Sequence, residues 1–363
     1  MSDILISGYY GFKNSGDDAL LLSIIEQLKE NKENINITVL SQNPEETEKI
    51  YKVNAVKRDN IFSLIKSIIS TKMVLMGGGT LIQDGTSTKS LLYYLLIIKV
   101  AKFFGKKVML YSNGIGPLKE ENYKITRKVL NKVDLITLRD EISNTELKKA
   151  GVTKPKVILT ADSAFNLSFD DKKDILKLKK EFNIPEDKKY FCIAIRNHKR
   201  LADDFCNILA EVCDRVSNNY DIYPVFIPFQ KSNDTEITNS VRNKMKTESK
   251  VFDSEVEISD LLAFISHSEM CIGMRLHSLI YSALCKVPLV GLVYDPKIVG
   301  FMEYIGQENF LNAENLKKDE LIKMVNEGLD NSKNIRIELE KKLDIMKDKA
   351  KENVMLAIDL LDK

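Results

Sequence analysis

The sequence predicts an α/β protein made of two domains, each a parallel β-sheet covered by helices. The chain has 363 residues, and a domain usually has about 100 to 200. Short apolar runs alternate with longer amphipathic segments twice along the chain, an order typical of parallel sheets with helices on both faces. With 44% hydrophobic and 29% charged residues, the composition is that of a globular protein and excludes a disordered or collagen-like one.

The first alternation predicts a Rossmann-like domain over residues 1–169. Its strands are predicted at 4–9, 35–40, 73–76, 108–112, 135–138 and 157–159. Its helices are predicted at 18–29, 61–70, 89–104, 120–131 and 143–150. Strands of this length separated by amphipathic segments favour parallel pairing over hairpins.

The second alternation begins after a charge-dense stretch at 170–182 and predicts another Rossmann-like domain over residues 170–312. Its strands are predicted at 190–195, 222–227, 270–273 and 289–293, and its helices at 202–217, 237–246, 259–266 and 276–286. Sheets of this kind bind ligands beyond the carboxyl ends of their strands. Chemistry is therefore expected in a cleft between two facing domains.

Residues 313–363 are predicted to form a C-terminal helical segment. Apolar side chains recur there at spacings of three and four: Ile335, Leu339, Leu343, Met346, Ala350, Val354, Ile358 and Leu361. Such a stripe fits a coiled coil or a helix docked on its own domains, and the second is the commoner use.

Overall charge excludes partners that are bound by a global electrostatic field. Lys and Arg number 54 against 52 Asp and Glu, a net charge of +2, so no nucleic-acid partner is expected. Asp3 stands where a signal peptide carries positive charge, and the apolar run 91–100 is shorter than the about 20 residues that span a bilayer. We expect a cytoplasmic protein. The five cysteines, odd in number and without a CxxC pair, are predicted to be reduced core residues with no metal site.

A glycine-rich turn, GYYGFKNSGDD, follows the first predicted strand. The spacing of Gly11 and Gly16 resembles a phosphate-binding P-loop, but Asp17 and Asp18 replace its Lys and Ser or Thr. Two carboxylates suit a helix N-terminus or the removal of a proton from a sugar hydroxyl. Asp18 is predicted to cap the helix, and Asp17, with Asn14 and Gly16, to be functional.

Two further glycine-rich strand ends, with the first one, predict a binding rim, and two more strand ends of this domain carry the candidates Arg139 and Asp162. MGGGT and SNGIGP bring backbone N–H groups close to a ligand. Arg139 follows a strand and fits either a clamp on a carboxylate or phosphate or a salt bridge to its neighbours. Asp162, in ADSAF, fits ligand contact or turn stabilisation equally well. The other predicted rim residues are Gly77, Gly78, Gly79 and Asn113.

The second domain carries a denser cluster, MRLHS and YDPK, at two predicted strand ends. His277 stands at a strand-to-helix junction beside Arg275, which favours a titrating imidazole at a site. The other two histidines, His198 and His267, are predicted to be ordinary surface residues. Arg139, Arg275 and Lys297 with a helix N-terminus predict a compact anion site.

Seven ordered motifs over about residues 4–300 resemble the polysaccharide pyruvyl transferase family, with the nearest likeness to the bacterial cell-wall branch whose pyruvylated polymer anchors surface-layer proteins. They are GYYGFKNSGDDA, GGGTLIQD, SNGIGP, RDEIS, ADSAF, GMRLHS and YDPK. The resemblance implies a GT-B-like fold and transfer of pyruvate from phosphoenolpyruvate to a sugar as a ketal, with release of phosphate and no other cofactor. It implies a lipid-linked, N-acetylmannosamine-containing acceptor.

The family's donor-contacting positions correspond to Arg139, His277 and Lys297, with Arg275 in the same motif as His277, and its acidic first-turn position corresponds to Asp17. We interpret His277 as the acid that protonates the donor and Asp17 as the base for the sugar hydroxyl; the two roles are exchangeable. The alternatives are a GT-B glycosyltransferase that uses a nucleotide sugar and a non-catalytic sugar-binding or assembly protein. A lipid-linked acceptor implies peripheral membrane contact, and segment 91–104 with its lysines fits an interfacial helix or, more commonly, a buried one.

Overall fold

The computed structural model describes residues 2–85, 87–253 and 255–363. The chain forms two compact units: unit 1 runs to Leu167 and includes Ile345–Lys363, and unit 2 is Ser168–Asp344. Each unit has a parallel sheet with helices between successive strands, so the predicted α/β class with two Rossmann-like sheets is confirmed. The predicted helical segment 313–363 is divided between the units. Which unit binds acceptor and which binds donor stays a prediction.

Unit 1 has a seven-stranded parallel sheet in the order β3-β2-β1-β4-β5-β6-β7. Its strands are β1 (Ser2–Tyr10), β2 (Ile37–Ser41), β3 (Asn54–Lys57), β4 (Thr71–Gly77), β5 (Lys107–Asn113), β6 (Leu135–Leu138) and β7 (Lys156–Leu159). Its helices are α1 (Ser15–Asn31), α2 (Pro44–Tyr51), α3 (Ile61–Ile69), α4 (Thr88–Phe103), α5 (Glu120–Leu130) and α6 (Glu141–Lys149). β3 and α2 were not predicted, because β3 is a short edge strand and α2 buries only Thr47.

The core of unit 1 lies on both faces of its sheet. One face packs against α3, α4, α5 and α6, and the other packs against α1 and the end of the last helix, α14 (Ser332–Asp362). Of the predicted apolar stripe on α14, every residue except Ile358 is buried, and Ala357 is buried beside it. Asn353 on α14 is fully buried and accepts a hydrogen bond from Thr160 Oγ1 at 2.8 Å. Docking on the chain's own units is therefore confirmed for this helix.

Unit 2 has a six-stranded parallel sheet in the order β10-β9-β8-β11-β12-β13. Its strands are β8 (Lys189–Ala194), β9 (Ile222–Phe226), β10 (Lys250–Val251), β11 (Cys271–Gly273), β12 (Leu289–Val293) and β13 (Phe310–Asn312). Its helices are α7 (Leu176–Glu181), α8 (Phe205–Tyr220), α9 (Lys231–Arg242), α10 (Ile258–Ser266), α11 (Leu276–Leu284), α12 (Pro296–Tyr304), α13 (Lys318–Asp330) and the first part of α14.

The sequence patterns missed several elements of unit 2. β10 has two residues and β13 three, too few for a period-two pattern to show. α9 begins six residues before its predicted start, because its first turns are polar and only Asp234 there is buried. α7 and α12 were also not predicted, whereas α13 lies inside the predicted helical segment 313–363. α12 starts directly after the capping residue Asp295, with Pro296 at its first position.

The arrangement places the carboxyl ends of all strands of a sheet at one edge of that sheet, since all pairings are parallel. We call these edges rim 1, formed by the segments after β1, β4, β5, β6 and β7, and rim 2, formed by those after β8, β9, β11 and β12. None of the described helices combines the length and the hydropathy that crossing a membrane requires.

Candidate active site

Cationic side chains surround Tyr294 on rim 2. Arg196, after β8, donates from Nη1 to the Tyr294 hydroxyl at 2.9 Å, and its guanidinium carbon lies 4.9 Å from the ring centroid. The ammonium of Lys297 is 5.6 Å from the same centroid, and the His198 ring packs at 5.0 Å. Nε of Arg196 is buried without a hydrogen-bond partner among the described residues. Arg196, His198, Tyr294 and Lys297 are called the Tyr294 cluster below.

Two pKa shifts show a positive potential in the Tyr294 cluster. Burial raises the pKa of Tyr294, but Lys297 and Arg196 lower it by more, so the pKa lies below its usual 10.0. Burial, Arg196 and Arg200 lower the pKa of His198 below 6.5. The cause that both shifts share is the positive charge of Arg196, which disfavours a nearby cation and favours a nearby anion.

Arg275 is placed at rim 2 but is paired. Its Nε donates to Oδ2 of Asp234 at 3.1 Å, and its Nη2 donates to Oδ1 of the same carboxylate. Asp234 is fully buried, and it also accepts from the backbone N–H of Gln230 at 2.9 Å. β8 lies between β9 and β11 in the sheet, so this pair spans the carboxyl end of the strand that leads to Arg196. Sequence analysis did not identify Asp234, because its ion-pair partner Arg275 is 41 residues away along the chain.

His277 lies in the first turn of α11, one residue after the start of the helix, and is half-buried. Its ring is 6.2 Å from the ring of Tyr281. The start of α11 follows β11, which lies between β8 and β12. His277 and Arg275 therefore share rim 2 with the Tyr294 cluster, as the prediction of a dense cluster requires.

The first turn of rim 1 differs from the prediction in its helix cap. Asn14, not Asp18, caps α1, and its side chain accepts from the backbone N–H of Gly16 at 3.1 Å. The helix begins earlier than predicted, so Gly16, Asp17 and Asp18 all lie in its first turn. Gly16 and Asn14 thus have a structural role there. Asp17 is half-buried in the first turn of α1, beside the helix N-terminus.

The glycines after β4 allow Asp17 and the backbone to approach each other. Gly78 and Gly79 have φ values of +59° and +68°, the left-handed region that favours glycine. A methyl group on Gly79 would lie 3.2 Å from Oδ1 of Asp17. Gly77 has no room for a side chain, because the Tyr10 hydroxyl donates to its carbonyl oxygen at 2.5 Å. The structure therefore brings Asp17 and the predicted triple glycine together.

Arg139 is buried in a network at the centre of rim 1. Its Nη1 donates to Oδ2 of Asp162 at 3.0 Å, its Nη2 to Oγ1 of Thr80 at 2.9 Å, and its Nε faces Asp140 at 3.4 Å. Burial lowers the pKa of Arg139, but the two carboxylates raise it by more. Asp162 also caps the short 3₁₀ helix Ser163–Asn166 by accepting from Ala164 at 3.0 Å. The contacts of Arg139 are those of the predicted salt bridge to its neighbours. The contact of Asp162 with Ala164 is that of the predicted turn stabilisation.

Asn113 is fully buried, and its Nδ2 donates to the carbonyl oxygens of Met76 and Tyr111, both at 3.0 Å. Its side chain therefore ties the ends of β4 and β5 together. Beside it, the Gly114 N–H donates to the Gly79 carbonyl at 2.8 Å. A methyl group on Gly114 would lie 2.8 Å from Nη2 of Arg139.

Aromatic rings at the other end of rim 1 were not predicted. Tyr9 and Phe12 stack with centroids 4.1 Å apart and planes at 7°. Arg58, directly after β3, lies 5.1 Å from the Phe12 ring and 4.6 Å from the Tyr93 ring, and donates to the Gly8 carbonyl at 3.0 Å. The unpredicted strand β3 supplies this arginine. Arg196 was also missed, although the rule that singled out Arg139, a guanidinium just after a strand, applies to it equally.

The two Rossmann-like units define a protein of the GT-B class. The chain is similar to Anabaena Alr3699/HepE in complex with UDP-glucose (TM-score 0.68, 11% identity, 99% of this chain and 100% of that chain). It is also similar to UDP-GlcNAc 2-epimerase from Neisseria meningitidis bound to UDP-GlcNAc (TM-score 0.66, 13% identity, all of both chains). At such identities the likeness shows the fold alone.

The sequence places the chain more narrowly. Residues 14–296 match the family model of polysaccharide pyruvyl transferase. Amylovoran biosynthesis protein AmsJ of Erwinia amylovora is 23% identical over 92% of this chain and 93% of that protein. The chain belongs to the polysaccharide pyruvyl transferase family, and the predicted family is confirmed.

Proposed function

We propose that this enzyme transfers the pyruvyl group of phosphoenolpyruvate to a sugar of a cell-wall polysaccharide precursor and releases phosphate. The product is a pyruvate ketal. The proposed acceptor is a lipid-linked saccharide that contains N-acetylmannosamine, as in the branch that anchors surface-layer proteins. The observation that carries the proposal is the grouping of Arg196, His198 and Lys297 around Tyr294, because a phosphorylated carboxylic acid needs several cations around it.

The Tyr294 cluster supports a donor-binding role for rim 2. Lys297 and Arg196 provide cations at a half-buried position, where a charge-assisted hydrogen bond is worth more than in water. Arg275 is held by Asp234, so we propose that it positions the start of α11 and His277. Arg139 remains a proposed donor contact on the strength of the family resemblance. Its pairing with Asp162 and Asp140 supports a second role in shaping rim 1.

The proposed chemistry needs an acid that gives a proton to the donor and a base that takes a proton from the acceptor. An acid protonates the methylene carbon of phosphoenolpyruvate, and the central carbon becomes oxocarbenium-like. A sugar hydroxyl attacks that carbon while a base takes its proton; the bond between that carbon and the phosphate oxygen then breaks, and phosphate leaves with the electron pair. A second hydroxyl attacks the same carbon and closes the ketal, and its proton passes to the released phosphate. We propose His277 as the acid and Asp17 as the base, with the exchanged assignment as the alternative.

Rim 1 supports a saccharide as the acceptor. The stacked rings of Tyr9 and Phe12 offer an apolar surface with a polar hydroxyl at its edge, a combination that suits the C–H face and hydroxyls of a sugar. Asp17 follows in the same turn and lies beside Gly79. A carboxylate next to such a surface supports the proposed role of Asp17 as the base for a sugar hydroxyl.

A nucleotide-sugar glycosyltransferase is the second candidate. It is favoured by the solved structures of the same fold that are bound to UDP-glucose and UDP-GlcNAc. Asp17 and Asp18 in the first turn of α1 oppose a nucleotide phosphate at that position. Thermal shift separates the two, since phosphoenolpyruvate should stabilise the pyruvyl transferase and UDP should not.

The decisive experiment is incubation of the enzyme with phosphoenolpyruvate and a panel of lipid-diphosphate disaccharides. We expect equimolar phosphate release and a mass increase of one pyruvate ketal on the acceptor. His277→Ala should abolish both signals, whereas His267→Ala, at the end of α10, should retain them. Transfer of a sugar from a UDP-sugar, with no ketal formed, would overturn the proposal.

A further inference from the structure

Two neighbouring helices of unit 1 are apolar on their outer side. α3 and α4 contact each other on one face of the sheet. They and the residue after α4 expose seven large apolar side chains, half of the fourteen found among the described residues. Phe62 is 89% exposed and Phe103 is 81% exposed. The seven are Ile61, Phe62, Ile69, Leu92, Leu96, Phe103 and Phe104.

The pattern on α4 differs from that of an ordinary surface helix. Its inner side buries Leu91, Leu95 and Ile98 in the core, while Leu92 and Leu96 point outward. An ordinary surface helix carries charged or polar residues on its outer side. With 16 residues, α4 is also shorter than the about 20 that span a bilayer. The prediction of a buried helix is thus right for one side of α4 only.

The charged residues of the segment that forms this surface are almost all positive, although two of its lysines, Lys72 and Lys102, pair with Asp3 and Asp134 outside the segment. Residues 61–107 contain seven lysines and one acidic residue, Asp84, in a chain whose net charge is +2. Asp84 is buried and accepts hydrogen bonds from Lys119 and Asn122. Lys66, Lys89 and Lys99 are exposed on α3 and α4 themselves. Lys99 lies in the same outward stripe as Leu92, Leu96 and Phe103, at spacings of three and four.

We propose that the outer surface of α3 and α4 docks on an anionic phospholipid membrane. Exposed aromatic and aliphatic side chains enter the interface between head groups and acyl chains, and lysines beside them attract anionic head groups. Charge complementarity selects this occupant. A second copy of the chain would set lysines against lysines, which opposes association. The surface lies wholly in unit 1. The proposal concerns the location of the enzyme and does not depend on the chemistry proposed above.

Co-sedimentation of the full chain with vesicles tests the proposal. We expect binding to phosphatidylcholine vesicles that contain roughly a third phosphatidylglycerol, and little binding to phosphatidylcholine alone or at high salt. Phe62→Ser and Phe103→Ser should each weaken binding by about tenfold. Lys66→Gln and Lys99→Gln should each weaken it by about fivefold. The matched controls are Met355→Ser and Lys351→Gln, both exposed on α14, and they should bind like the wild type.

The absence of tryptophan from the chain provides a second readout. Phe103→Trp introduces a single fluorophore whose emission should shift to the blue with anionic vesicles, while the emission of Met355→Trp should not. No shift, equal binding to zwitterionic vesicles, or equal losses in the α14 controls would overturn the proposal. So would a dimer that buries position 103 without lipid. Phe103→Ser should keep its turnover on a water-soluble acceptor, so failure of this proposal and failure of the proposed function are distinguishable.

Discussion

The guanidinium of Arg275 and the carboxylate of Asp234 form a two-point ion pair that joins the start of α11 to the start of α9. Both residues are buried. Asp234 lies in the helix that follows β9 and Arg275 directly follows β11, and β8 lies between these two strands in the sheet. The pair therefore organises rim 2 around the strand that leads to Arg196. The guanidinium of Arg275 is therefore held by Asp234 at two of its nitrogen atoms.

Removal of the Asp234 carboxylate should destabilise unit 2. We expect Asp234→Ala to lower the free energy of unfolding by about 3–5 kcal/mol, because the charge of Arg275 stays buried without its partner. Urea denaturation followed by circular dichroism measures the loss. Glu211→Ala, which breaks the exposed pair with Lys318, is the matched control and should cost less than about 1 kcal/mol. Equal, small losses for both variants would contradict a structural role for the buried pair.

The positive potential at Tyr294 should be measurable by titration. Arg196→Met removes a positive charge, which favours a protonated imidazole and disfavours a phenolate, so the pKa of His198 and that of Tyr294 should both rise. Phosphoenolpyruvate bound in the cluster should raise both in the wild type for the same reason. NMR titration of the three histidines and of labelled tyrosine measures the shifts. An unchanged pKa of His198 in Arg196→Met would show that this cation does not act on the site.

Loss of Lys297 should affect the donor before the acceptor. We expect Lys297→Ala to raise the KM for phosphoenolpyruvate by about tenfold or more, the loss of one charge-assisted contact. Initial-rate kinetics with each substrate varied in turn provide the measurement. Lys323→Ala, an exposed lysine on α13, should leave both KM values unchanged. A larger change in acceptor KM than in donor KM would move Lys297 out of the donor site.

Gly79 should be needed for activity beyond its backbone conformation. Gly79→Ala and Gly105→Ala both place a side chain at a positive φ, +68° and +66°, and each should cost about 1–2 kcal/mol of stability. The new methyl group meets Asp17 only at position 79, since nothing lies within 4 Å at position 105. Turnover should therefore fall in Gly79→Ala and persist in Gly105→Ala. Equal turnover would separate Asp17 from the reaction.

Much of the fold was predictable because hydrophobic periodicity is a local signal. The helices α4, α5 and α10 and the buried strands β5, β6 and β12 were predicted within a residue or two of their bounds. The edge strands β3, β10 and β13 were missed, because a strand that is short or half-exposed has no distinctive pattern. The predicted cap at Asp18 was wrong, because the chain offers three polar residues nearby and only the backbone geometry selects Asn14.

The sequence by itself determined the family, the α/β class and the strand ends where polar side chains gather, since motifs and periodicity are carried by residues close together in the chain. Only the tertiary structure decided which partners hold those side chains and how deeply each of them is buried. Asp234 and Arg275, Arg139 and Asp162, and Arg196 and Tyr294 are 41, 23 and 98 residues apart. The charge state and reach of a side chain depend on neighbours that folding alone supplies.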